Sequence, residues 1–263
     1  MKNILLLVHS DPAQESRFQA ALDLVRALDG HLTCIEDAAP PPVLLEPFGL
    51  VSAGAAADDR ALAADRLQAR LGAEDVSWNW LAVNNDIVHA LADAARLGDI
   101  IVLSSPRPDD VSPVSGALIH RLLGEARKPV LLVPPHLDRL DATGPALIAW
   151  DGSIGAASAM GAAVPLLVLA AGVTVVELGP GRRDVSAEEA AAYLSRHGIK
   201  AAIARRPLRH RRVEDALRRF AERGRFGYVV MGGFGRTAVL ETLFGSVTSG
   251  MIAASRVPLF LAR

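Results

Sequence analysis

Short apolar runs recur along the chain, and most are followed by a longer segment with helical periodicity. Runs that stay apolar without alternation are the pattern of strands buried on both faces. In the C-terminal half the pattern predicts strands over 146–150, 173–178, 201–205, 228–231 and 259–261. It predicts helices over 154–169, 187–197, 213–223 and 245–254. Ser186, with Glu189 three residues later, is a capping-box start. The N-terminal half predicts strands in the same order, over 4–8, 32–35, 76–81, 100–103 and 130–133. Single strands alternating with single helices imply parallel βαβ units with right-handed crossovers.

The two halves superpose as sequences. Residues 3–9 lie over 145–151, 99–103 over 227–231 and 128–133 over 257–262. The repeat predicts two α/β domains, 1–137 and 144–263, divided where Pro134, Pro135, Gly144 and Pro145 cluster. The first half carries an insertion, 38–57, with Pro40, Pro41, Pro42 and Pro47, which reads as a loop by composition. Leu44, Leu45, Phe48, Leu50 and Val51 give it apolar surface, so it is expected to fold partly over the first half's crevice as a plug, the competing reading being a disordered loop with these residues exposed or used by a partner.

Composition narrows the function classes. Of 263 residues, 51% are apolar and 22% charged, enough for a substantial core. The 28 basic and 29 acidic residues leave no cationic surplus, which argues against a nucleic-acid partner. The single cysteine, Cys34, forbids an intrachain disulfide. The first apolar run, 4–8, is too short for a signal segment and is closed by His9-Ser10-Asp11-Pro12. No run reaches the ~20 residues that span a bilayer. A cytoplasmic protein with no membrane partner is expected. The seven histidines show no ligand spacing, so no metal site is assigned. A phosphate-loop motif and a nucleophile elbow are both absent, and no catalytic residue is assigned.

The candidate chemistry lies in the second half. Gly232-Gly233-Phe234-Gly235 is followed after nine residues by Gly245-Ser246. The motif begins where a buried strand is predicted to end and finishes where a helix is predicted to begin. Glycines at 232 and 235 let a ligand approach the backbone, because no Cβ intervenes. Gly245 and Ser246 fall at a helix N-terminus, where free N–H groups and the dipole favour phosphate. The competing reading is a glycine-rich loop that holds no ligand. Asp151, with Gly152 and Ser153, follows the first strand of this half. It reads either as a ligand acceptor at the crevice or, with Ser153, as a helix cap.

These residues resemble the nucleotide motif of the universal stress proteins: Gly232-x2-Gly235-x9-Gly245-Ser246, with Val-Pro-Leu-Phe-Leu near the C-terminus. The resemblance covers both halves except the insertion. It implies an adenine-nucleotide alpha-hydrolase-like α/β fold, two open parallel five-stranded sheets of order 3-2-1-4-5 with helices on both faces. It also implies a ligand between strands 1 and 4, the topological switch point. By this similarity Ala149, Trp150, Asp151 and Leu178 border adenine and ribose. Met231, Gly232, Gly235, Gly245, Ser246 and Val247 line ribose and phosphates. Trp150 departs from the small residue expected there and would stack or obstruct. The family's pairing of last strands would join the two domains within the chain, with a further homodimer left open.

The first half has lost the motif. Ser104, Ser105 and Arg107 stand where Gly232, Gly233 and Gly235 do, Ala117 replaces Ser246, and His9 replaces Asp151. One nucleotide per chain is therefore expected, with ATP, ADP or AMP as the cofactor and Mg2+ accompanying it in any hydrolysis. The leading expectation is a regulatory, stress-responsive nucleotide binder. The alternatives are a slow metal-assisted ATPase or adenylate kinase-like enzyme, and a scaffold that binds no nucleotide and acts through protein partners. A basic cluster, Arg205-Arg206 with Arg209-His210-Arg211-Arg212, reads as a solvated loop, with phosphate or RNA contact as the rival.

Overall fold

In the computed structural model the apolar runs become strands of one continuous sheet. The structure describes residues 1–38, 45–46, 49–50, 53–84, 86–106, 116–179, 184–208, 210–233 and 246–263. The N-terminal half contains β1 (Asn3–Val8), α1 (Gln14–Leu28), β2 (His31–Asp37), β3 (Leu45–Glu46), β4 (Gly49–Leu50) and α2 (Ala53–Leu71). It continues with β5 (Ser77–Val83), α3 (Ile87–Ala95), β6 (Ile100–Ser104), α4 (Gly116–Gly124) and β7 (Val130–Val133). The C-terminal half contains β8 (Ala146–Ala149), α5 (Ile154–Leu167), β9 (Val173–Leu178), α6 (Ala187–Arg196) and β10 (Ala201–Arg206). It ends with α7 (Val213–Arg223), β11 (Tyr228–Gly232), α8 (Ser246–Ala254) and β12 (Leu259–Ala262).

The strand order is β10-β9-β8-β11-β12-β7-β6-β1-β2-β5. Each half is parallel and runs 3-2-1-4-5 once the β3–β4 pair is set aside. The halves meet where β12 pairs antiparallel with β7, Phe260 opposite Leu131. All four residues of each of these strands are buried. The segment between β7 and β8 holds no helix or strand, yet it is tied to α1. Ser16 Oγ donates to the Pro135 carbonyl (3.0 Å), and the Leu140 amide donates to Asp23 (2.8 Å).

Strand alternation divides the core into two layers. On one face Ile4, Leu6, Ile148 and Val230 meet α1, α5 and α6 through Phe18, Met160 and Leu194. On the other Leu5, Leu7, Leu147 and Val229 meet α3, α4, α7 and α8 through Leu91, Leu122, Leu217 and Met251. Trp78 and Trp80 of the edge strand β5 are half-buried against the first layer, and the Trp80 indole donates to Glu36 (2.7 Å). Cys34 is buried, and that burial pushes its thiol up to about 12.

The insertion departs from the loop reading. It contains two short strands paired antiparallel, Leu45 opposite Leu50, and the helix α2 already begins at Ala53. Poly-alanine has high helix propensity but no polar–apolar rhythm to announce it. The expected plug depends on side chains of 44–51, which lie outside the described residues.

Candidate functional site

In the C-terminal half β8 and β11 are neighbours, Ile148 opposite Val230, so their ends form the switch point. Four of the residues singled out by sequence gather on one face there. Ala149, Leu178, Met231 and Val247 belong to the same apolar layer, contributed by β8, β9, β11 and α8. Thr248, buried in the first turn of α8, donates its Oγ1 to the Gly232 carbonyl (3.2 Å). That bond brings the N-terminus of α8, which starts at Ser246, against the end of β11.

Asp151 is exposed at the rim. Its Oδ1 accepts from the Ser153 amide (3.0 Å), across Gly152 at φ 74°. Ser153 caps α5, its Oγ accepting from the Ala156 amide (3.2 Å). Capping therefore falls to Ser153, while Asp151 shapes the turn and keeps an exposed carboxylate. Trp150 neither stacks at this edge nor obstructs it. Its indole lies in the opposite core layer, 4% exposed, and donates to the Val185 carbonyl (3.1 Å). Gly235 and Gly245 lie outside the described residues.

The glycines have neighbours of their own. A Cβ on Gly232 would stand 2.9 Å from the Gly155 carbonyl carbon and 3.1 Å from the Ala156 nitrogen, so the bare backbone lets β11 and α5 approach. A Cβ on Gly233 would stand 2.6 Å from Leu123 Cδ1 of α4, across the joint between halves.

The same junction in the N-terminal half is built differently. Ser104 ends β6, and Arg17, fully buried, reaches it from α1. Arg17 also donates to the carbonyls of Leu7 (2.7 Å) and His9 (3.0 Å), to Gln14 (2.7 Å) and to Asp11 (3.1 Å). One guanidinium thus links the ends of strands 1 and 4. In the C-terminal half the sequence repeat places Ala159 at this position, also fully buried. Sequence reasoning missed Arg17, because an arginine inside a helical pattern normally marks a solvated face. Arg107 lies outside the described residues.

His9, the counterpart of Asp151, lines a cavity of ≈ 230 Å³ with Asp11, Glu36 and Asp37. Its Nδ1 lies 3.2 Å from Asp37. Burial holds the imidazole below its ordinary value of 6.5, although Asp37 and Asp11 pull it upward. A depressed folded-state value means that the unfolded chain protonates first as pH falls. The stability contributed by neutral His9 is therefore full above about pH 6.5 and is lost as pH falls through the folded value. Urea denaturation between pH 7 and pH 5 is expected to show a shallower loss of stability in His9→Gln than in wild type. Identical slopes would refute this account.

The basic cluster divides. Arg205 pairs with Glu177 and Glu188, and Arg212 pairs with Glu214. Arg206 and Arg211 instead line a groove beside α7.

Comparison with solved structures decides the fold. A universal stress protein from Archaeoglobus fulgidus DSM 4304 superposes with a TM-score of 0.70, covering 99% of this chain and 96% of that one at 13% identity. This chain has the universal stress protein fold. A structure from Pseudomonas aeruginosa UCBPP-PA14, described as a universal stress protein, matches with a TM-score of 0.60 at 17% identity, covering 100% of this chain and 93% of its own. A functionally unknown protein from Pseudomonas aeruginosa PAO1 matches with a TM-score of 0.57 at 17% identity, covering 100% and 92%. No family model matches the sequence, and no curated protein does. Among the described residues, no helix is long and apolar enough to cross a membrane. No group of three or more metal-ligating side chains occurs among them either. The two-repeat universal stress protein fold thus carries one switch point tied by Arg17 and another ended by glycine.

Proposed function

We propose that this protein is a regulatory binder of one adenine nucleotide, ATP, ADP or AMP, held at the switch point of its C-terminal half. The observation that carries the reading is the convergence of three elements at one edge. An apolar patch of Ala149, Leu178, Met231 and Val247 offers a surface for a flat base. The exposed Asp151 carboxylate offers an acceptor for ribose or amine hydrogens. The start of α8, fixed to Gly232 by Thr248, offers main-chain donors for phosphate. Gly235, Gly245 and Ser246 complete the motif in sequence. Mg2+ enters this reading only with the phosphates, since the described residues offer no ligand cluster of their own. The stress-response role follows from the name of the Archaeoglobus fulgidus protein that shares the fold.

Calorimetric titration with Mg-ATP is expected to give one site per chain. Asp151→Ala is expected to weaken that site about tenfold, equivalent to ~1.4 kcal/mol, with little change in circular dichroism. Two equivalent sites per chain, or an unaltered affinity in the variant, would remove the proposal.

A further inference from the structure

Residues 205–225 hold nine arginines against three acidic residues, in a chain whose net charge is −1. Four of them, Arg206, Arg211, Arg219 and Arg223, surround a single hollow of ≈ 300 Å³. They come from three places: the end of β10, the turn after it and the outer face of α7. Arg219 and Arg223 stand one turn apart on the helix, so both point the same way.

Several arginines elsewhere pair with carboxylates, as with Arg26 and Glu74, Arg70 and Glu15, and Arg121 and Glu125. At the hollow none of the four has a carboxylate partner among the described residues. The guanidinium of Arg206 lies 5.6 Å from the centroid of the Phe220 ring. Leu178, Leu208 and Phe220 supply apolar surface beneath the charges.

The wall is built rather than loose. The Gly179 amide donates to the Arg206 carbonyl (2.9 Å), and the Arg211 amide donates to the Leu208 carbonyl (3.0 Å). Gly179 has φ +68°, and a Cβ there would meet Leu208 Cδ1 at 2.6 Å, so the turn sits tightly on the end of β9. His210 completes the turn with φ 64°. Arg206 also donates to the Arg205 carbonyl (3.0 Å), and an apolar floor ringed by guanidinium groups with no carboxylate partner among the described residues suits an anion with an apolar body. Guanidinium forks match phosphate oxygens in pairs. A nucleic-acid strand needs a continuous track, whereas these four arginines close around one hollow of small-molecule size.

We infer that this groove is a second ligand site, which binds a small phosphorylated molecule with a flat or apolar body. It abuts the proposed nucleotide site at Leu178 but does not depend on it.

The test uses the full chain and 1-naphthyl phosphate, followed by its fluorescence anisotropy. One saturable site is expected, with 1-naphthol and inorganic phosphate each binding at least tenfold more weakly. Arg219→Gln/Arg223→Gln, which alters only exposed side chains, is expected to weaken binding at least tenfold while leaving Mg-ATP affinity within twofold. Phe220→Leu is expected to weaken it severalfold. Asp151→Ala is expected to retain it, which separates this site from the nucleotide reading. Unchanged binding in the double arginine variant overturns the inference. So does 1-naphthol binding as tightly as its phosphate, or a single-stranded oligouridylate displacing the probe at lower concentration than any small phosphate.

Discussion

Arg17→Leu is expected to destabilise the chain by about 3–5 kcal/mol, the range found when one partner of a buried charged pair is removed. Arg17 is fully buried, and its guanidinium serves the main-chain carbonyls of Leu7 and His9, Gln14, Ser104 and the Asp11 carboxylate. Leucine fills part of the volume but leaves these acceptors without their donor. The Asp11 side chain is only 9% exposed, so water replaces the lost ion pair poorly. Lysine is not expected to rescue the site, because an ammonium cannot span acceptors held by a planar fork. In a chain of this size the loss corresponds to a melting shift on the order of 10 °C. Thermal and urea denaturation of wild type, Arg17→Leu and Arg17→Lys measure it directly. A wild-type midpoint in Arg17→Leu would show that the buried arginine does not hold the junction.

Gly232→Ala is expected to lower stability by about 1–3 kcal/mol in the absence of any ligand, the usual range for overpacking a close contact. The atoms a new methyl would meet are the carbonyl carbon of Gly155 and the amide nitrogen of Ala156. These are backbone atoms in the first turn of α5, so no rotamer change relieves the contact. Gly233→Ala is the matched control. Its methyl meets the end of the Leu123 side chain, which can rotate away. Melting curves of both variants without nucleotide are expected to rank Gly232→Ala well below Gly233→Ala. A glycine kept only for ligand approach would leave the ligand-free melting temperature of Gly232→Ala unchanged, and that result would sink the packing account.

Most strand positions were legible because a strand buried on both faces has few polar residues to interrupt it. The runs at 130–133 and 173–178 coincide with β7 and β9, and the amphipathic pattern at 213–223 coincides with α7. Strand order was not legible from periodicity, which says nothing about neighbours, and came instead from the motif resemblance. Ala149, Leu178, Met231 and Val247 were named through the same resemblance, and their common face follows from strand ends and a helix start converging in this topology. The direction of Trp150 was not read from the sequence, which left stacking and obstruction open, although strand alternation accounts for a ring turned away from the face of Ala149. Arg17 was hidden because its partner Ser104 is remote in sequence and two of its acceptors are main-chain carbonyls, which carry no side-chain signature. The arginines of the groove beside α7 were visible as charge. Their common hollow depends on the turn held by Gly179 and Arg206, which composition does not reveal.

The antiparallel joint of β7 and β12 has a consequence for behaviour on dilution. Two separate copies of such a half would meet through their outermost strands by mass action, and would part at low concentration. Here one backbone carries both strands, so each meets the other at a high effective concentration set by tether length rather than by protein abundance. The contact persists at one molecule per compartment. A mutation in one half also leaves the other half free to keep its own sequence, which a symmetric pair of identical chains cannot do. Covalent fusion is thus what lets one half hold an arginine at its strand junction while the other keeps a glycine there.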